Sequence, residues 1–154
     1  MEAVSEWLTP IFIGFVSAYF GSLIAVRRFK KERLWERREK AYAGIIDALY
    51  DMLRHCEIHK EDYGQGTGYS DDRESEFRES YTEAYWKLKK VTDIGAFVIS
   101  PRAHAVLVEL RNREKLSWDD NPRFDIYEHE YECFRVALEK IVRIASNELN
   151  TEKV

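Results

Sequence analysis

Glycine and proline are scarce in this chain, at seven and three of 154 residues. Together with 34% charged residues, this argues against a turn-dense sheet fold and favours long helices. Cysteine is scarcer still: Cys56 and Cys133 lie far apart and form no CxxC pair. That excludes a disulfide framework and points to a reducing compartment. Neither GxSxG nor SxxK occurs, so serine nucleophiles of those two kinds are excluded. Charge is absent over as many as twenty residues in one place only, Trp7–Val26, WLTPIFIGFVSAYFGSLIAV.

An uncharged run of that length matches the ~20 residues an α-helix needs to cross ~30 Å of hydrocarbon. A cleaved signal peptide would need a basic start and a shorter apolar core, whereas the leader, residues 1–6, holds Glu2 and Glu6 and no Lys or Arg. A buried core helix would keep a polar face, and Thr9, Ser17 and Ser22 do not make one. Residues 7–26 are therefore expected to be a transmembrane helix. Lys and Arg follow at once, so the positive-inside rule puts the N-terminus outside and the rest in the cytoplasm. Small residues fall four apart along this run, as Gly14, Ala18 and Ser22 and as Ser17, Gly21 and Ala25. Such rows let helices approach closely in lipid, so Gly14, Ala18, Gly21 and Ser22 are candidates for self-association or for pairing with another membrane protein.

Residues 27–40 form a basic stalk, with eight Lys/Arg against three Glu. Arg27, Arg28, Lys30, Lys31 and Arg33 are the candidates for lipid headgroup contact on an anionic bilayer. With only two acids in residues 1–26, a net charge of −4 leaves about −7 on residues 41–154. A basic collar beside an acidic body argues against a nucleic-acid partner, which would call for positive charge spread over the domain.

Residues 41–149 are expected to form one cytoplasmic helical bundle, with 150–154 a frayed tail. Trp35, Tyr42, Ile45, Leu49, Met52 and Cys56 step by helical spacings, and Ile46 and Leu53 widen the stripe. This predicts a first helix running to about Asp62. Trp35 can serve either as a headgroup anchor or as a lid on the core, and Gly44 marks a close crossing. The glycine-rich stretch Tyr63–Asp72 reads as a connection, because a phosphate loop would follow a strand and carry Lys-Ser/Thr. Ser70, Asp71 and Asp72 are natural caps for the next helix, whose stripe is Phe77, Tyr81, Ala84, Tyr85, Leu88 and Val91. That helix is expected to end buried in IGAFVIS (residues 94–100), with Gly95 allowing close packing. Ser100-Pro101 caps and opens a short third helix with Ala103, Val106, Leu107 and Leu110 inward. Asn121-Pro122 repeats the device before a fourth helix bearing Phe124, Tyr127, Tyr131, Phe134, Leu138, Ile141 and Ala145, a coiled-coil-like repeat. The fold class is thus all-α: a membrane helix continuing into an antiparallel bundle of three long helices and one short.

The runs LWERREKAYAGIIDAL, DIGAFVISPRAHAVLVEL and ALEKIVRIASNEL resemble a group of uncharacterised bacterial membrane proteins with one N-terminal span and a cytoplasmic helical domain. The likeness covers about Arg27 to Leu149. It implies a bacterial inner-membrane location and this architecture, and it brings no activity and no site residues.

His55 and His59 share a helix face beside Cys56, and His129 stands four before Cys133. If the first and last helices are neighbours, these five could offer imidazole and thiolate ligands to zinc. Against that, the order is not HExxH, the di-iron Glu-x-x-His is absent, and Cys56 lies on the apolar stripe, where a cysteine packs as a small hydrophobe. Capping or solvation accounts for Asp71-Asp72, Asp119-Asp120 and the Glu128/Glu132 pair. No cofactor motif occurs. The leading expectation is a non-enzymatic, membrane-anchored interaction or regulatory module. A small oligomerising membrane effector, phage- or stress-related, is the alternative, and a bundle enzyme with a His/Cys metal site is the third.

Overall fold

The computed structural model describes the backbone of residues 2–65, 71–94 and 97–151, and the side chains of residues 17–62, 73–94 and 97–150. Among the described residues there are four helices and no strand: α1 (Glu2–Gln65), α2 (Asp71–Ile94), α3 (Pro101–Arg111) and α4 (Arg123–Thr151). The chain divides into two units, residues 1–36 and 37–154.

In the first unit every described side chain is exposed except Trp35, which is half-buried. Phe20 and Ile24 are 59% and 66% exposed. Farther along, Arg28 bonds Glu32 at 3.1 Å and the Arg33 guanidinium lies 5.1 Å from the centre of the Phe29 ring. Among the described residues no helix is long and apolar enough to cross a membrane. The side chains of Trp7–Val16 lie outside the described residues, and the remaining ten residues, 17–26, rise only about 15 Å as helix.

The second unit holds one core. From α1 it takes Tyr42, Ile45, Ala48, Leu49, Met52 and Cys56; α2 adds Ala84 and Leu88, α3 adds Ala103, Leu107 and Leu110, and α4 adds Phe134, Ala137, Ile141 and Ala145. Contacts fix the directions. Tyr42 meets Glu148 while Lys60 meets Glu128, so α1 and α4 are antiparallel. Gly44 faces Lys87 while His55 packs on Tyr81, so α1 and α2 are antiparallel too. Glu109 pairs with Lys140 and Arg113 with Glu130, which sets α3 against α4.

Ser100 caps α3 as expected. Its backbone is extended (φ −68°, ψ 155°), its Oγ accepts from the Ala103 N–H at 3.2 Å, and Pro101 fills the first turn. The same geometry corrects the reading of IGAFVIS as a buried helix end. α2 stops at Ile94, and Ser100, pushed out of the helical region by the proline that follows it, is extended. Among the described residues that follow, 97–100, Ile99 reaches the core, while Phe97 is 88% exposed. Gly95 and Ser70 lie outside the described residues, as do the side chains of Asp71 and Asp72 and most of the glycine-rich connection.

Two stripes also differ from expectation. Tyr85 is 40% exposed on α2, and Phe124 is 44% exposed at the start of α4, where Ile126 is buried instead. Asn121 does not act as the expected cap. Its Nδ2 donates to the Ser117 carbonyl at 3.0 Å, and the first turn of α4 is closed by Ile126 N–H on the Pro122 carbonyl.

A methyl group added at Gly44 would meet only the flexible end of Lys87, Cε at 3.3 Å. Glycine inside a helix costs roughly 0.5–1 kcal/mol relative to alanine. Gly44→Ala is therefore expected to stabilise the bundle by about that amount in urea unfolding, with Lys87 swinging aside. Equal or lower stability would show that the crossing needs the missing side chain.

Candidate functional site

The sequence offered two clusters of potential ligands, and the fold keeps them apart in character. His55 and His59 lie one turn apart on α1 with ring centres 4.3 Å apart. They sit among aromatic rings from three other segments. Tyr81 of α2 is 4.5 Å from His55, Tyr127 of α4 stacks on His59 at 4.9 Å, and Trp118 of the α3–α4 connection meets Tyr127 edge-on. Beside them is a polar cavity of about 330 Å³, walled by His59, Asp62, Glu74, Arg78, Arg123 and Trp118 among others. Burial holds both imidazoles below their ordinary range, His55 at about 4, with the neighbouring His59 adding to the effect there.

Cys133 and His129 lie one turn apart on α4, with Sγ 3.8 Å from Nε2. They do not form a thiolate–imidazolium pair. The same Nε2 lies 3.0 Å from the Glu114 carbonyl, which can only accept, so Nε2 carries a proton and donates it there. Burial raises the Cys133 thiol above its ordinary value despite the nearby Arg113. Cys56 is 1% exposed, inside the core, and burial followed by the charge of Glu130 pushes its thiol up to about 12. A reactive cysteine needs the opposite surroundings. Among the described residues no group of three or more His, Cys, Asp or Glu is placed to hold a metal ion.

Glu128 and Glu132, expected on a solvated face, both have partners. Glu128 takes the Lys60 ammonium at 2.7 Å and Glu132 takes Arg135. Sequence reasoning missed one feature entirely, an ion pair inside the bundle. Arg113 and Glu130 have side chains only 15% and 16% exposed and meet through two hydrogen bonds. Arg113 also donates to the Leu110 carbonyl at 2.8 Å and covers the Phe134 ring. It thereby fastens the end of α3 to α4. Next to it an open groove of about 310 Å³ runs between α3 and α4, floored by Val106, Leu110, Val136 and Ala137. The aromatic residues around His55 were visible in the sequence as stripe positions, but nothing marked Trp118 as their neighbour.

On the first unit, Arg27, Arg28, Lys30, Lys31 and Arg33 are all exposed, as are Ala18, Gly21 and Ser22. Gly14 lies outside the described side chains. No protein-family model, curated protein or solved structure matches the chain.

Two measurements check this chemistry. Removing one partner of a buried ion pair strands the other charge, which costs about 3–5 kcal/mol, whereas replacing both with apolar groups is near neutral. Arg113→Ala should destabilise by about that amount, and Arg113→Met with Glu130→Leu should recover most of it in denaturant titrations. For the thiols, Cys133 is expected to react with an aromatic disulfide at pH 7.5 about tenfold more slowly than a solvent-exposed thiol, and Cys56 only after unfolding. His129→Ala should leave the Cys133 rate unchanged, and a sharp drop would restore the dyad.

Proposed function

We propose that the chain is a non-enzymatic, membrane-anchored interaction module, held by residues 7–26 in a bacterial inner membrane with its helical bundle on the cytoplasmic side. One observation carries this reading: an uncharged twenty-residue run ending directly in a basic collar. The described half of that run presents Tyr19, Phe20, Ile24 and Val26 at 48–66% exposure, outside any core. Apolar surface left in water costs roughly 25 cal/mol per Å² relative to burial, and a bilayer relieves that cost. The exposed Arg27, Arg28, Lys30, Lys31 and Arg33 add about 1 kcal/mol each where they approach an anionic leaflet. The raised thiols and the proton-donating His129 leave neither Cys56 nor Cys133 an activated nucleophile, which favours interaction over catalysis.

A second reading, an oligomerising membrane effector, draws on the exposed small residues Ala18, Gly21 and Ser22 of the two adjacent rows. A side chain at Gly21 would meet nothing within 4 Å, which leaves that face free for another helix.

Alkaline carbonate extraction of membranes from expressing bacteria tests the anchor. The full chain should stay in the pellet, while Phe20→Asp with Ile24→Asp should move to the supernatant. Release of the unmodified chain would overturn the reading. Ala18→Leu with Gly21→Leu separates the two roles, because an anchor keeps its pelleting and an effector loses its crosslinked oligomers.

A further inference from the structure

The His55–His59 pair is placed where a proton has no good position. Phe77 of α2 hydrogen-bonds His55 through its backbone, and the Nδ1 atom of His55 is buried without a partner. The bond to Phe77 therefore uses Nε2, which donates to the carbonyl. Nδ1 is left as the only nitrogen able to take a second proton, and it has no acceptor in reach. The ring is packed against His59 at 4.3 Å and against Tyr81 at 4.5 Å. A charged imidazolium there would carry a proton on Nδ1 with no acceptor, in surroundings where burial and like charges oppose it.

We infer that His55 and His59 form an acid-opened latch, which in the neutral state clamps the far end of α1 to Tyr81 of α2 and Tyr127 of α4, and which a proton on His55 releases. The surrounding charges fit that direction. From α2, Arg78 opposes charge on both rings. Glu74 of α2 and Asp62 of α1 favour a proton on His59. Tyr81, Tyr127 and Trp118 bring no charge near neutral pH, and Arg123 lines the adjoining cavity. The proton most easily accepted thus goes to His59, whose charge then repels one on His55 at ring-contact distance. Releasing the clamp lets both rings hydrate beside a cavity that is already polar.

The sign is set by the neutral form being the one that packs. With His55 near its ordinary 6.5 when open and at about 4 when closed, the open form gains nothing above pH 7 and gains steadily below 6.5. The open population rises about tenfold between pH 7.5 and 5.5 from His55 alone.

Hydrogen exchange on the full chain, expressed as protection relative to intrinsic rates, tests this. Amides of residues 55–62, 73–81 and 124–130 should lose about tenfold protection from pH 7.5 to 5.5, while residues 42–49 and 137–145 keep theirs. His55→Gln, which can still donate to Phe77 but cannot be protonated, should remove most of the loss. An equal loss at both ends, no loss at the far end, or a full loss in the glutamine variant would overturn the latch. So would an NMR titration of the unmodified protein in which His55 titrates at or above 6.5, a readout that needs no variant to fold.

Discussion

The bundle depends on a hydroxyl group that has to be buried. Tyr42 is 1% exposed, so its ring contributes fully to the core, and its polar tip must find partners inside the protein or cost several times a hydrogen bond's net value. It donates to Glu148 at 2.6 Å and accepts from the Ser100 N–H at 3.2 Å. Three elements are set by that one atom: the register of α4 on α1, the position of the α2–α3 turn, and the start of α3. Burial, then the Glu148 hydrogen bond, raises the phenol above its ordinary value, so it stays a donor through the whole stable range. Ser100 serves twice, since its Oγ also caps Ala103. A bundle of apolar stripes can slide by a turn with modest penalty, and one satisfied hydroxyl makes each slide expensive.

The Arg113–Glu130 pair plays the matching part toward the other end. Glu130 occupies a position that counts as core along α4, four residues before the fully buried Phe134 and four after Ile126. A carboxylate there is tolerable only because Arg113 neutralises it through two hydrogen bonds and stacks on Phe134. The raised thiol of Cys56 is a by-product of that arrangement, through burial and the nearby carboxylate. Its chemistry follows from packing and implies no catalytic role.

Glu130 also explains where the fold was readable in the sequence and where it was not. The α1 stripe from Tyr42 to Cys56 was legible because every buried position in it is apolar, and the Ser100-Pro101 start was legible because capping chemistry is local. The α4 stripe is not legible at its beginning, where Ile126 is buried and Phe124 is exposed. Its true line runs through Ile126, Glu130 and Phe134, and a glutamate in the middle hides it, so the eye follows Phe124, Tyr127 and Tyr131 instead. Tyr127 and Tyr131 pack from the side, and Phe124 stays out. Arg113, which makes the glutamate acceptable, comes seventeen residues earlier in a segment with no period. The histidine pair was visible as a spacing. Its environment was not, because Tyr81, Tyr127 and Trp118 reach it from three separate segments. Likewise IGAFVIS looks like core by composition, whereas among its described residues Ile99 is buried and Ile94 and Phe97 are exposed.

Charge then divides the bundle along its length. The end where α1 enters, residues 37–47, 83–102 and 143–151, carries a net +3, and the rest of the second unit carries −8. Screening over ~8–10 Å at physiological salt makes the two ends act independently. Beside an anionic surface the first end is attracted and the second repelled, so a bundle held there is oriented without any specific contact. The negative end is the one that contains His55 and His59, and a negative potential gathers protons as well as other cations. Acid therefore acts first where the packing tolerates charge least. The end bound by Tyr42 and Glu148 holds its register by the Tyr42 hydrogen bonds to Glu148 and Ser100, with His104 bonding the Thr92 carbonyl at 3.0 Å nearby. A chain built this way can loosen at one end and remain folded at the other, which is the physical requirement for passing a signal along a helix bundle.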